Sequence, residues 1–248
     1  MVNEMSPKAT SVADVAKSGF PLQTAVARIV AGAKGWKVLS QETPWDDDGD
    51  PEFIDVVAWR DAVTLVIECK KQKEGILTFL ETDSDAKPVT AVRHAAITFS
   101  KDSFRVRQFH IGRSFFAPAS AESMFCVTSN SPQSRLLERD AGLVARAADQ
   151  LARNIQLRQA GFREIGVPEG FLAVLVTTSI LFRATYDSSE VSLETGELAG
   201  GAVHEELPWI RFTKAFSVPQ DYRDVAERTV FVVSARHLQP FLEQVKIV

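Results

Sequence analysis

The chain has 248 residues, of which 45% are hydrophobic and 24% are charged, and these proportions are typical of a globular protein with one large core. The formal net charge of -4 excludes a protein that coats DNA through an overall basic charge, so any contact with nucleic acid has to be a local patch. Two cysteines in apolar runs, Cys69 and Cys126, indicate a reducing compartment rather than a disulfide framework.

No membrane partner is expected, because the longest apolar stretch, residues 171–182, is too short to cross a bilayer. Charged residues interrupt the N-terminal segment, which therefore lacks the apolar core of a signal peptide. Together these features favour a cytoplasmic protein.

The first part of the chain predicts one helix followed by strands. Residues 1–17 are polar and predicted to be flexible, and apolar residues then recur at helical spacing from Phe20 onward. The predicted elements are a helix over 20–34, a strand over 36–43, an acidic loop over 44–51, and two strands over 53–59 and 63–70.

The remainder predicts a mixture of helices and strands. The predicted elements are a helix within 88–102 followed by a loop or strand, a strand over 124–128, a helix over 132–159 capped by Ser131, strands over 171–186, 191–194, 210–216 and 229–234, and a helix over 238–245. Leu136, Leu143 and Val144 belong to the apolar stripe predicted for the long helix. This order indicates a mixed α/β fold with one central sheet.

The two strands over 53–70 form a predicted hairpin that carries the candidate chemistry. If its turn centres on Asp61 and Ala62, paired residue numbers sum to 123, and Asp55 lies opposite Glu68. Lys70 shares the face of Glu68, because side chains alternate along a strand.

Two carboxylates placed directly opposite each other among apolar residues repel each other, and a divalent cation removes that repulsion. Oxygen ligands of this kind suit Mg²⁺, which one or two carboxylates commonly hold together with water and substrate phosphate. A lysine beside a metal-bound water orients it or neutralises developing phosphate charge. The pattern therefore favours attack of water on a phosphodiester.

Asp55, twelve intervening residues and then Glu68-Cys69-Lys70 resemble the signature of the PD-(D/E)xK nuclease superfamily, which includes type II restriction enzymes, archaeal Holliday-junction resolvases and Mrr-like enzymes. The resemblance implies a restriction endonuclease-like core over 18–160, with a central mixed sheet flanked by helices. The strand over 124–128 would be its fourth core strand. Residues 161–248 are expected to form a β-rich extension of the same domain.

The resemblance also implies roles for individual residues. Asp55 and Glu68 would bind Mg²⁺, with Mn²⁺ able to substitute, and Lys70 would assist the attacking water. Ile54 stands where the signature nominally has proline, and Gln23 stands where many members carry a metal-binding glutamate. Gln23 and Glu42 are therefore expected to support the site rather than to bind the ion through a charge.

Basic residues near the hairpin are candidates for phosphate contacts. These are Lys71, Lys73, Arg105 and Arg107. For the two lysines a solvated surface is an equal alternative, and for the two arginines half-buried amphipathic structure is the commoner explanation. The aspartates over 46–50 are expected to form a solvated loop, and Cys69, opposite in face to Glu68, is expected to pack in the core.

The resulting expectation is a Mg²⁺-dependent endonuclease that hydrolyses DNA in restriction, repair or anti-phage defence, acting as a homodimer or within a larger complex. The alternative is a catalytically inactive module of the same fold that binds nucleic acid or a protein partner. A more distant alternative is an RNA-cleaving toxin or a nuclease acting on small molecules that contain nucleotides.

Overall fold

The computed structural model describes residues 18–47, 49–72, 75–82, 87–100, 107–128, 135–153, 169–215 and 227–248. The predicted flexible segment 1–17, the predicted cap Ser131, and the candidate residues Lys73 and Arg105 lie outside these ranges. The predicted boundary at residue 160 also lies outside them.

The described residues form three α-helices and fourteen strands. The helices are α1 (Phe20–Gly32), α2 (Arg135–Arg153) and α3 (Leu238–Gln244). The strands are β1 (Lys37–Asp47), β2 (Asp50–Arg60), β3 (Val63–Lys70), β4 (Ile76–Thr82), β5 (Val89–Ser100), β6 (Arg107–Ser120), β7 (Glu122–Ser123), β8 (Phe125–Thr128), β9 (Glu169–Thr177), β10 (Ile180–Tyr186), β11 (Val203–Leu207), β12 (Trp209–Lys214), β13 (Arg228–Ser234) and β14 (Lys246–Ile247).

A large mixed sheet dominates this α/β fold. Its main path runs β1-β2-β3-β9-β13-β12-β7, and β5, β6 and β14 join it off this path. β3, β9 and β13 are parallel neighbours, whereas β1, β2 and β3 are antiparallel. A second sheet, in the order β11-β10-β4-β8, has four described strands.

Helices cover both faces of the large sheet, and a hydrophobic core lies under each face. Val66 of β3 packs in the core that includes Leu137 and Val144 of α2. Leu65 and Ile67 point to the opposite face, in the core formed with α1 and α3. Both faces of β3 are therefore buried, which explains why this strand is an unbroken apolar run before its last three residues.

The first helix forms as predicted, although it ends at Gly32. Proline stands in its first turn, where its missing N–H costs no hydrogen bond. Gly35 has a φ of 80°, a left-handed conformation that glycine adopts without steric cost, and it turns the chain into β1.

The hairpin register is also confirmed. Val56 pairs with Ile67 and Val57 with Val66, so paired numbers sum to 123 as predicted. The predicted acidic loop over 44–51 is wrong, because β1 and β2 continue and pair as far as Asp47 and Asp50. The negative charge of Asp47 in this extension is compensated by an ion pair with Arg146 of α2.

The helix predicted within 88–102 is wrong, because this segment is β5. Alanines at 91, 95 and 96 are compatible with a helix, but β-branched residues surround them and favour an extended chain. β5 pairs with β6 and with β9, so its backbone hydrogen bonds are made within the large sheet.

Two further expectations about strands need correction. The strand predicted over 124–128 forms as β8, but it pairs with β4 in the smaller sheet and is not a strand of the large one. β9, from the predicted extension, lies next to β3 instead. The strand predicted over 191–194 is absent from this described segment, where one isolated bridge joins Val191 and Leu198.

α2 lies inside the helix predicted over 132–159, and its buried face overlaps the predicted stripe in part. Leu137, Ala141, Val144 and Ala148 are buried, whereas Leu143 is partly exposed. In the described ranges, none of the helices is both long enough and apolar enough to cross a membrane.

Candidate active site

The end of β3 places two charged side chains beside each other on the face covered by α2. Cys69, between them, is buried against the core on the α1 side. Glu68 and Lys70 are partly exposed, and the Lys70 Nζ lies 2.8 Å from Glu68 Oε1. Burial raises the pKa of the Cys69 thiol, which leaves it a neutral core residue, as expected, and not a nucleophile.

Asp55 reaches the same place from β2. Its Oδ2 accepts a hydrogen bond of 2.6 Å from the backbone N–H of Cys69. The last backbone pair of this hairpin is Val56 with Ile67, so the Asp55 side chain continues the connection between the strands one step further. This bond holds the Asp55 carboxylate at the end of β3 that carries Glu68.

Gln23 and Glu42 meet next to Asp55. The buried Gln23 side chain donates one hydrogen bond to the Glu42 carboxylate and one of 3.1 Å to the backbone carbonyl of Asp55. Glu42 has a φ of 51°, in the left-handed region that costs a non-glycine residue conformational energy. The structure therefore brings both predicted supporting residues to Asp55, and Gln23 fixes Glu42 in its unusual conformation.

Asp140 of α2 also faces the end of β3, and sequence reasoning missed it. The residue is only 5% exposed, and its Oδ1 lies 3.7 Å from Lys70 Nζ. A signal was present, because Asp140 stands three residues after Leu137 and four before Val144, on the buried face of the helix. A lone carboxylate within an apolar stripe requires a partner.

Burial and neighbouring charges shift the pKa values of Asp55, Glu68 and Lys70. Burial and the negative charge of Asp55 raise the pKa of Glu68 to about 7, although Lys70 opposes this shift. Burial also raises the pKa of Asp55, with a further increase from the charge of Glu42.

Burial alone would lower the pKa of Lys70, but the charges of Glu68, Asp140 and Asp55 outweigh it and raise the pKa. Lys70 therefore carries its full positive charge at neutral pH. Even so, the site holds more acidic than basic groups, which is the electrostatic condition that favours a cation.

The donor set fits a hard divalent cation of the Mg²⁺ type held by few protein ligands. Within the described ranges, no group of three or more His, Cys, Asp or Glu side chains is arranged to hold a metal ion. Asp55 and Glu68 are the two carboxylates at the end of β3 that could bind such an ion, with other oxygen ligands completing its coordination. Burial above all, and then a neighbouring carboxylate in each case, raise both pKa values, and a bound cation would favour the ionised carboxylates instead.

The candidate nucleic-acid residues are placed unevenly. Lys71 is exposed directly after β3 and so borders the site. Arg107 begins β6, which pairs with β5 and β14 and not with β3, so the structure does not bring its backbone to the hairpin.

No protein-family model matches this chain, and neither a curated protein nor a solved structure does. The residues and their geometry are consequently the whole basis for assigning a function.

Proposed function

We propose that this protein is a metal-dependent phosphodiesterase that hydrolyses DNA as an endonuclease, using Mg²⁺ or, in its place, Mn²⁺. The observation that carries the proposal is the convergence of three groups at the end of β3. Asp55 is fixed to the Cys69 N–H at 2.6 Å, and Lys70 Nζ lies 2.8 Å from Glu68. Two carboxylates and an ammonium at the end of one central strand are the groups that metal-assisted phosphodiester hydrolysis requires.

The arrangement of elements supports a restriction endonuclease-like core of the PD-(D/E)xK type. α1, the three antiparallel strands β1 to β3, α2 and the parallel strand β9 place the hairpin in the middle of a sheet with helices on both faces. In this proposal β9 serves as the fourth core strand, in place of the strand over 124–128.

Each residue has a definite task in the proposed reaction. A bound Mg²⁺ would act as a Lewis acid and lower the pKa of a coordinated water. Asp55 and Glu68 would hold the ion, and Lys70 would donate hydrogen bonds to the attacking water or to the phosphate oxygens as negative charge develops. Lys71, exposed beside them, contacts the DNA backbone.

Gln23 and Glu42 support the ligands without adding a second ion. The amide of Gln23 is already engaged by the Glu42 carboxylate and by the Asp55 carbonyl, so it fixes the position of β2 relative to α1. With two carboxylate ligands the site is suited to a single ion. Substrate recognition would then come from a homodimer or a larger complex in restriction, repair or anti-phage defence.

The test is a cleavage assay with supercoiled plasmid, single-stranded DNA and RNA, each with Mg²⁺, Mn²⁺ or EDTA. We expect cleavage of DNA with either ion and none with EDTA. Lys70→Ala and Asp55→Asn should each lose activity by about 100-fold or more, since several kcal/mol of transition-state stabilisation is removed. Lys246→Ala and Asp187→Asn, at exposed positions remote in sequence, are the matched controls.

The alternative function is an inactive module of the same fold that binds nucleic acid or a protein. The absence of a third metal-binding side chain among the described residues favours it, as does the uncharged Gln23. This alternative predicts no cleavage under any of these conditions and unchanged binding in Lys70→Ala and Asp55→Asn. Cleavage of RNA alone would instead identify a ribonuclease.

A further inference from the structure

We propose that Asp140 is a positioning residue that holds the Lys70 ammonium in the active site when Glu68 turns its carboxylate to a divalent ion. The inference rests on the proposed function and adds to it a residue from outside the hairpin. Asp140 belongs to α2, whereas Glu68 and Lys70 lie on the same strand.

Lys70 has two acidic neighbours in the site. Its Nζ lies 2.8 Å from Glu68 Oε1 and 3.7 Å from Asp140 Oδ1. An ion bound by Glu68 withdraws that carboxylate's charge from Lys70 and repels the ammonium directly. Among the residues that the structure describes, Asp140 would then be the negative partner left within ion-pair distance of Lys70.

The Lys70 ammonium has to travel only a short distance to reach Asp140. A separation of 3.7 Å is an ion pair without a normal hydrogen bond. A displacement of about 1 Å would bring Nζ within hydrogen-bond distance of Asp140. Rotations about the flexible lysine side chain supply such a displacement without movement of β3.

The burial of Asp140 also requires a cationic partner. A carboxylate that is 5% exposed on the apolar face of a helix is costly unless it is paired. Its other cationic contact is Arg139, at 3.3 Å, whose side chain is 66% exposed. A surface arginine can be paired without burying its partner, so the inward position of Asp140 is accounted for by Lys70.

Ion pairs with two strands hold α2 in a fixed position. Arg146 makes two hydrogen bonds of 2.7 Å with Asp47 of β1, and Lys214 of β12 forms an ion pair with Glu138. These contacts tie the helix to the sheet on two sides. Asp140, two residues after Glu138, is therefore held in place while the Lys70 side chain moves.

The first experiment detects the Lys70 ammonium directly, without requiring activity. A lysine ammonium held by carboxylates exchanges its protons slowly enough to be seen in a proton–nitrogen NMR correlation spectrum. The Lys70 signal is assigned from its loss in Lys70→Arg. We expect the signal to persist in Glu68→Gln and in Asp140→Asn but to disappear in the double variant. Persistence in the double variant, or loss in Glu68→Gln alone, would overturn the proposal.

The same measurement with Mg²⁺ tests whether Asp140 holds the Lys70 ammonium when Glu68 binds the ion. In the wild type the signal should remain after Mg²⁺ is added, whereas in Asp140→Asn it should disappear. If Mg²⁺ leaves the Asp140→Asn signal intact, Asp140 does not hold the ammonium. Near-native circular dichroism of every variant establishes that the fold is kept.

The second experiment measures kinetics. Asp140→Asn should lower kcat by about 10- to 100-fold, as removal of an outer partner commonly does, with the KM for DNA and the affinity for Mn²⁺ unchanged. Asp140→Glu should recover part of the loss. The matched control is Asp149→Asn, which removes a partly buried carboxylate of α2, one that pairs with Arg228, and should keep kcat.

The two proposals fail in different ways. A wild-type protein that cleaves no nucleic acid overturns the proposed nuclease function, and the ammonium signal still decides the role of Asp140. A wild-type enzyme that cleaves DNA together with an equally active Asp140→Asn overturns the role of Asp140 alone.

Discussion

The side-chain amide of Gln23 joins α1 to β1 through a hydrogen bond to the Glu42 carboxylate. The same amide nitrogen also donates to the carbonyl of Asp55, 3.1 Å away on β2. One buried side chain thus fixes three elements around the proposed metal ligand. It also engages Oε1 of Glu42, which holds this carboxylate beside Asp55.

Gln23→Leu should lower the free energy of unfolding by about 1 to 3 kcal/mol, because it leaves the Asp55 carbonyl and the Glu42 carboxylate without a donor. Urea denaturation at pH 7 measures the loss. Thr24→Ala, at the exposed neighbouring position, should change stability by less than about 0.5 kcal/mol. A Gln23→Leu protein as stable as Thr24→Ala would contradict the structural role of this amide.

The raised pKa of Glu68 predicts a specific dependence of stability on pH. Because the pKa is about 7 in the folded protein and 4.5 as its ordinary value, the folded state binds more protons between these limits. The contribution of Glu68 to folding stability is therefore lost as pH rises from about 4.5 to 7, by about 3 kcal/mol in all.

Glu68→Gln removes this titration, so the variant should gain stability relative to the wild type across that range. Urea denaturation of both proteins at pH 5, 6, 7 and 8 measures the difference. Glu194→Gln, in an exposed loop, should follow the wild-type curve. Parallel curves for wild type and Glu68→Gln would show that Glu68 is not perturbed.

Metal binding should compete with protons for the same carboxylate. With the pKa of Glu68 at about 7, a Mg²⁺ ion has to displace a proton at pH 6 but not at pH 8. Affinity should therefore increase by about tenfold between these pH values, with release of close to one proton per ion at pH 6. Calorimetry in two buffers of different ionisation enthalpy measures both quantities, and an affinity independent of pH would exclude Glu68 as a ligand.

The ion pair between Asp47 and Arg146 should contribute measurably to stability. Its two hydrogen bonds are 2.7 Å long, and the side chains are only 19% and 25% exposed. A double-mutant cycle with alanine at both positions should give a coupling energy of about 1 kcal/mol or more. The cycle for Arg236 and Glu206, at 3.4 Å and half exposed, should give less than about 0.5 kcal/mol.

Local patterns were sufficient to predict the hairpin. The two-residue turn at Asp61 and Ala62 and the alternation on both strands determine the register, so Asp55 could be placed opposite Glu68 from the sequence. The apolar run of β3 and its charged end are likewise properties of consecutive residues. These features depend on few contacts with the rest of the chain.

Asp140 was not predicted because the phase of α2 is ambiguous in the sequence. Alanines occur at 141, 145, 147, 148 and 152, and alanine fits both a buried and an exposed helix face. The predicted stripe contains Val144, which is buried, but it omits Leu137 and Ala141, which share the buried face with Asp140. Only packing against the sheet decides between the two phases.

The neighbour of β3 could not be predicted for a different reason. Parallel pairing requires a long crossover, and several strands of suitable composition were available. β8 pairs with β4, and β9 pairs with β3. In the second pairing residues 170 to 177 lie beside residues 63 to 70, which are far apart from them in the sequence. Such distant pairing depends on the complete set of strands and not on any local signal.

That distant pairing has a consequence for synthesis. A nascent chain that has left the ribosome as far as residue 150 already carries Asp55, Glu68, Lys70 and Asp140, but β3 still has an open edge on the side where β9 pairs. The charged end of β3 is completed only when residues 170 to 177 have been translated and have docked. The order of translation thereby separates the synthesis of these four charged residues from the pairing that closes the edge of β3.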